Sequence, residues 1–199
     1  VWRKTHAGWR GKAKRKQIKA RTICIELQGL RRALQYAQDL EFIQDVPRFR
    51  MPSMRNEKPI HRWHTREQME KVLDHAGRHQ LMLATAYLTG MRMSELLTRE
   101  WSDVDFERGE YGVIHVTHKP QIGFRVKLGK ERVVPLCPRL REMLLEVPEE
   151  NRSGYLFTHA GMRYQQMRSQ LIRACNRAGV PVINPHATRK TFASLAAMD

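Results

Sequence analysis

Residues 79–89 are almost continuously apolar and stop at Gly90. A run of that length is too short for the roughly 20 residues of a membrane span and reads as a helix that is apolar on every side. Such a helix persists in water only if other elements cover it all round. The flanking sequence supplies them. Thr65 followed by Gln68 fits a capping box, and Met69, Val72 and Leu73 give the next helix an apolar face. Helical spacing resumes at Ser94-Glu95-Leu96-Leu97 and closes over Trp101 to Phe106. After Pro138 it returns through Leu140, Met143, Leu144 and Val147, and again through Met167, Leu171, Ile172 and Cys175. Asn184-Pro185-His186 opens the last helix, with Asn as N-cap and Pro at the first helical position. Upstream, Ile23, Leu27, Leu30, Leu34 and Ala37 recur at three- and four-residue steps, with Thr22 as the expected N-cap.

Two segments have a different period. Residues 111–116 alternate and are rich in branched side chains, and residues 132–136 form a second short strand. Between them lies a polar stretch with Gly123, Lys127, Gly129 and Lys130, which predicts an antiparallel unit with a basic turn. Tyr155-Leu156-Phe157 reads as a short apolar stop. The expected fold class is therefore mostly α with a small antiparallel β-sheet (α+β). Pro47, Pro52 and Pro59 punctuate a polar, basic segment. The expected organisation is a helical part over 1–50, a linker over 51–60 and a larger domain over 61–199.

Charge narrows the partner. The 199 residues carry 36 Lys and Arg against 20 Asp and Glu, a net charge of +16. A surplus of that size attracts polyanions, nucleic acid above all. Residues 1–21 hold much of it, including Lys12, Lys14, Arg15, Lys16 and Lys19, which are candidates to follow a phosphate backbone together with Lys130. No basic amphipathic stretch has a clean apolar face, so a membrane surface is not the expected partner. The first twenty residues lack the apolar core of a signal peptide. Cys24, Cys137 and Cys175 are widely spaced and form no CxxC pair, which fits a reducing cytoplasm rather than a disulfide framework. His61 with His64, and His115 with His118, lack two further ligands at plausible spacing, so neither metal nor cofactor is expected.

Four basic side chains stand apart. Arg92 follows Gly90; Lys127 lies in the β-turn region; His186 and Arg189 project from one face of the last helix. Taken singly, Arg92 with Glu95 also fits a surface ion pair, Lys127 and Lys130 fit solvated turn lysines, and His186 fits a capping histidine. Their order and surroundings go further. Thr89-Gly90-Met91-Arg92-Met93-Ser94-Glu95-Leu96 fits the pattern T-G-x-R-x-x-E-L, and Trp101-Ser102-Asp103-Val104-Asp105 fits W-x-D-h-D. Lys127 precedes the strand Arg132-Val133-Val134-Pro135-Leu136, and His186-Ala187-Thr188-Arg189 is an H-x-x-R box. In these motifs, over about residues 22–199, the chain resembles the tyrosine recombinases, or phage-type integrases.

The resemblance implies a catalytic domain of that fold, preceded by the last helices of a helical core-binding domain. It implies site-specific cleavage and rejoining of duplex DNA through a 3′-phosphotyrosine, in integration of a phage or mobile element, by a DNA-assembled homo-tetramer. The roles carried over are Arg92 and Arg189 gripping the non-bridging oxygens of the transition state, Lys127 protonating the leaving 5′-oxygen, and His186 moving a proton or stabilising the phosphorane. Glu95 is expected to orient Arg92. No metal enters, because the arginines take its electrostatic role. The sequence departs from the pattern at Lys190, where the family often has His, and at Thr188, where Leu is usual. Tyr36, Tyr87, Tyr111, Tyr155 and Tyr164 all precede the H-x-x-R box, whereas the family's nucleophile follows it. The expectation is a chain without its C-terminal nucleophile segment, inactive alone. The alternatives are a non-catalytic DNA-binding remnant that competes with an intact recombinase, and, less strongly, a nuclease or topoisomerase-like relative.

Overall fold

The computed structural model describes residues 18–53 and 63–198. The chain divides between residues 60 and 61 into two compact units. In the first, helix α1 (Ala20–Asp39) carries Ile23, Leu27, Leu34 and Ala37 half-buried, while Leu30 is exposed. The N-cap is Lys19, not Thr22: the backbone N–H groups of Thr22 and Ile23 donate to the Lys19 carbonyl, so the first turn closes three residues earlier. Most of the expected linker, residues 54–60, lies outside the described residues.

The second unit is built around the apolar run. Helix α3 (Gln80–Thr89) is buried from Met82 through Tyr87 and ends at Gly90, whose φ of 57° is the left-handed value that favours glycine. A β-carbon on Gly90 would meet the Phe192 ring at 2.5 Å, so the position needs both the backbone freedom and the small volume. Helix α2 (Arg66–Asp74) starts with the expected capping box, in which Gln68 N donates to Thr65 Oγ1 at 3.2 Å and Thr65 N to Gln68 Oε1 at 3.1 Å. After Gly90 the chain makes one turn, α4 (Met93–Leu96). Helices α5 (Pro138–Leu145), α6 (Arg168–Ala178) and α7 (Pro185–Ala196) complete the layer. α3 packs on α7, α5 and α2, and α2 on α6. The core contains Leu83, Leu96, Ile114, Leu140, Leu144 and Leu171, each fully buried and worth about 1.5–3 kcal/mol in transfer.

Three strands, β1 (Val104–Asp105), β2 (Val113–Val116) and β3 (Arg132–Pro135), form an antiparallel sheet in that order. The register pairs Val113 with Pro135 and Val116 with Arg132. This sets Arg132 beside the end of β2, where the chain leaves for the basic turn. A further hairpin, β4 (Thr158–His159) with β5 (Met162–Arg163), follows the stop at 155–157. The architecture is the mostly helical α+β class expected. Among the described residues no helix is long and apolar enough to cross a membrane.

Candidate functional site

The chain reversal at Gly90 and the start of α7 come together. Arg92 and His186 line one surface pocket of about 390 Å³, with Ser94, Gln166, Arg168 and Asn184. Arg189 stands one turn further along α7 and donates from Nη1 to the carbonyl oxygen of Gly90 at 2.6 Å. The α7 start has the expected form: Pro185 sits in the first turn and Asn184 Oδ1 accepts from the His186 N–H at 3.0 Å. The cap fixes the backbone of His186 while its side chain stays exposed. Thr188, the departure in the box, is buried, and its hydroxyl donates to the Pro185 carbonyl at 2.8 Å. A polar side chain at this core position is thus satisfied inside its own helix.

Glu95 organises the arginines. It is buried, with its side chain 1% exposed. Oε2 accepts from the backbone N–H of Arg92 at 2.9 Å, and Oε1 from Arg92 Nη1 at 2.9 Å. Arg132, the first residue of β3, makes a two-point pair with the same carboxylate, Nη1 to Oε1 at 3.1 Å and Nη2 to Oε2 at 2.7 Å. Burial alone would raise the Glu95 pKa; the hydrogen bonds from Arg132 and Arg92 outweigh it and hold the group at about 2. The expected role of Glu95 in orienting Arg92 thus has its geometry. Arg132 served only as a sequence marker for the strand; its place opposite Val116 is a matter of register, which the sequence does not display.

Arg99, between Thr98 and Glu100, had no sequence signal. It is fully buried. Nε donates to the Glu95 carbonyl at 3.0 Å, Nη1 to the His115 carbonyl at 2.9 Å, and Nη2 to the Thr117 carbonyl at 3.1 Å. Asp103 lies 3.4 Å from Nη1, and the guanidinium sits over the Phe124 ring. One cation therefore joins the turn that follows Arg92 to the strand that leads to the basic loop.

Lys127 opens a tight turn over Lys127–Gly129 on that loop. Lys127 and Lys130 are exposed, and neither is among the walls of the Arg92–His186 pocket. The loop is braced from within: the Val126 N–H donates to His118 Nδ1 at 3.1 Å, and the His118 N–H to Glu131 Oε1 at 2.7 Å. His118 is thus committed to the loop. His64 is buried, held by the Tyr87 hydroxyl at 2.6 Å and the Pro181 carbonyl at 2.8 Å. Lys19 is exposed at the start of α1, whereas Lys12, Lys14, Arg15 and Lys16 lie outside the described residues. Gln166 and Arg168, which follow the β4–β5 hairpin, were not singled out in the sequence and do line the pocket.

Arg92, Arg168 and His186 thus share one pocket wall, Arg189 lies behind it on the Gly90 carbonyl, and among the described residues no acidic side chain lines that pocket. Residues 62–197 match the Phage integrase family, and the chain belongs to that family. It is similar to the prophage integrase IntF of Escherichia coli K12, 29% identical over 126 residues that cover 57% of this chain and 25% of that protein. It is also similar to the tyrosine recombinase XerC of Corynebacterium glutamicum, 30% identical over 125 residues, covering 59% of this chain and 37% of that protein. In fold it resembles the Tn1549 transposon integrase in complex with a circular intermediate DNA, with a TM-score of 0.76, 21% identity, and coverage of 91% of this chain and 68% of that one. The matches to these two curated relatives span 25% and 37% of those proteins' length.

Proposed function

We propose that residues 61–199 supply the phosphate-holding part of the active site of a site-specific DNA recombinase. The observation that carries this reading is the convergence of Arg92 and His186 on one pocket, with Arg189 fastened to the Gly90 carbonyl two residues before Arg92. In the reaction a tyrosine oxygen attacks the scissile phosphorus, the P–O5′ bond breaks, and the protein is left joined to the 3′-phosphate. Arg92 and Arg189 balance the charge that gathers on the non-bridging oxygens, and fixed charges of this kind are worth several kcal/mol of barrier. Lys127 gives its proton to the departing 5′-oxygen, and His186 manages the proton of the attacking hydroxyl. Double-stranded DNA is the partner, with the exposed Lys19 and Lys130 and the basic residues 1–21 following its backbone. Residues 1–50 act as part of a core-binding domain joined through 51–60, and the full-length protein works as a homo-tetramer on DNA in the cytoplasm of a bacterial or phage host.

The test is covalent capture. Full-length protein mixed with its target duplex is expected to give an SDS-stable protein–DNA adduct, and Arg189→Ala is expected to abolish it while duplex binding persists. An adduct formed at the wild-type rate by Arg189→Ala would overturn the site assignment. A second reading has its own observation: none of the five tyrosines lines the Arg92–His186 pocket. A chain that holds phosphate without an attacking hydroxyl would bind DNA and compete with an intact recombinase. Adding residues 1–199 to such a recombinase should then slow it, and an unchanged rate would exclude the competitor role.

A further inference from the structure

The Arg92 turn and the Lys127 loop belong to different elements, 35 positions apart in the chain. The chemistry proposed above asks both to meet one phosphodiester. Something must hold them in register; the exposed turn at Lys127–Lys130 is braced by His118 and Glu131, but those bonds stay within the loop and do not reach the Arg92 turn. Two guanidiniums bridge the gap, and both end on Glu95. Arg99 reaches from the Glu95 backbone carbonyl to the carbonyls of His115 and Thr117, on the outgoing arm of the hairpin. Arg132, on the returning arm, takes the Glu95 carboxylate in two parallel bonds. That carboxylate in turn holds the Arg92 guanidinium and its backbone N–H.

We propose that Arg132 is a positioning residue that couples Arg92 to the Lys127 loop through Glu95. The proposal rests on the reading of Arg92 and Lys127 as groups that act on one phosphodiester. Arg132 spends the two-pronged edge of its guanidinium on Glu95, so the role assigned to it is positioning and not the holding of phosphate. It fixes two things at once. One is the side of Glu95 that faces Arg92; the other is the point at which the basic loop rejoins the sheet opposite Val116. A lysine here could make only a single-point contact, because an ammonium lacks the planar fork. A glutamine would keep the size and lose the charge. The Arg132 side chain is 34% exposed, so either variant is tolerated by packing, unlike a change at the fully buried Arg99.

Two measurements decide the matter, and they fail independently. The first needs no catalysis. Hydrogen–deuterium exchange of residues 1–199 is compared for wild type and Arg132→Gln. Faster exchange is expected in 117–131 and in 91–96, with 66–74 unchanged. No change in 117–131, or a uniform rise across the domain, would overturn the coupling. The second uses full-length protein in single-turnover cleavage of a duplex carrying either oxygen or sulfur at the scissile 5′-bridging position. A sulfur leaving group departs without a proton, so it is insensitive to a displaced general acid. Arg132→Gln is expected to lose about tenfold or more with oxygen and clearly less with sulfur, with the duplex Kd within about twofold of wild type. Arg132→Lys should fall between. An equal loss on both substrates, or none, would overturn the proposal. If wild-type protein forms no adduct on either substrate, the recombinase reading falls, and the exchange experiment alone decides the role of Arg132.

Discussion

Arg189 Nη1 lies 2.6 Å from the carbonyl oxygen of Gly90, 99 positions earlier in the chain. The bond joins the two motifs that carry the arginines, and it does so through backbone, so it is indifferent to the side chain at 90. What constrains residue 90 is its left-handed φ and the Phe192 ring beside it.

Gly90→Ala therefore meets two penalties. A left-handed backbone costs an alanine about 1–2 kcal/mol, and its β-carbon would sit 2.5 Å from Phe192 Cδ1. Together they are expected to cost about 3 kcal/mol, a fall in Tm of roughly 6–12 °C for a domain of this size. Thermal unfolding followed by circular dichroism checks it. An unchanged Tm would mean that the ring steps aside freely. Gly90→Ala combined with Phe192→Ala should recover the share of the loss that comes from the clash.

Glu95 gives an acid-stability signature. Its pKa is near 2 in the folded chain against 4.5 for the unperturbed group. A depressed carboxyl stabilises the fold fully above the unfolded value and loses that contribution as pH falls through the folded one. The window is thus pH 4.5 down to about 2, and the contribution is on the order of 3 kcal/mol. Glu95→Gln should remove it, leaving Arg92 and Arg132 facing a neutral amide, and should flatten the acid limb of the stability curve. Urea midpoints at pH 7, 4 and 2.5 would show the wild-type and variant curves converging. Parallel curves would mean that the carboxylate is not held in the native state.

His64 makes the opposite kind of group sensitive to pH. Burial lowers its pKa, and the bond to the Pro181 carbonyl only partly restores it. The folded state thus prefers neutral imidazole, with Nε2–H donating to Pro181 and Nδ1 accepting from the Tyr87 hydroxyl. A histidine whose folded value is depressed adds stability above the unfolded value of about 6.5, and that part is lost as pH drops toward the folded value. Wild type should weaken between pH 7.5 and 5.5 more steeply than His64→Gln, which is itself expected to be about 1–3 kcal/mol less stable at pH 7.5. Equal slopes for the two proteins would remove His64 as the source.

Much of this was legible because it is local. The run at 79–89, the Thr65 cap and the Asn184-Pro185 start are each written within a few residues, and each formed as read; the two strands also formed, the first only over Val113–Val116, but Val104–Asp105, expected to close a helix, is a third strand of their sheet. Thr22 misled because a threonine beside an apolar stripe carries the cap signal wherever the first turn closes, and Lys19 closed it first. Arg99 and Arg132 stayed hidden for a different reason. Their meaning depends on which carbonyls and which carboxylate the fold brings within 3 Å, and that follows from strand register rather than sequence spacing. The β4–β5 hairpin escaped notice because two-residue strands carry no readable period.

The placement of Lys127, Lys130 and Arg132 can also be told apart by salt. Each phosphate neutralised by a side chain adds about 0.9 to the slope of log affinity against log salt, through counterion release. Lys127 and Lys130 are exposed on the tip of the loop and are free to meet the backbone of a duplex. Arg132 lies at the base of the same loop with its guanidinium turned onto Glu95. Fluorescence anisotropy with labelled duplex between about 50 and 200 mM salt should therefore give Lys127→Ala and Lys130→Ala shallower slopes than wild type by roughly one contact each. Arg132→Gln should leave the slope unchanged. A slope reduced by Arg132→Gln would place its guanidinium on phosphate, and the pair with Glu95 would then have to open when DNA binds.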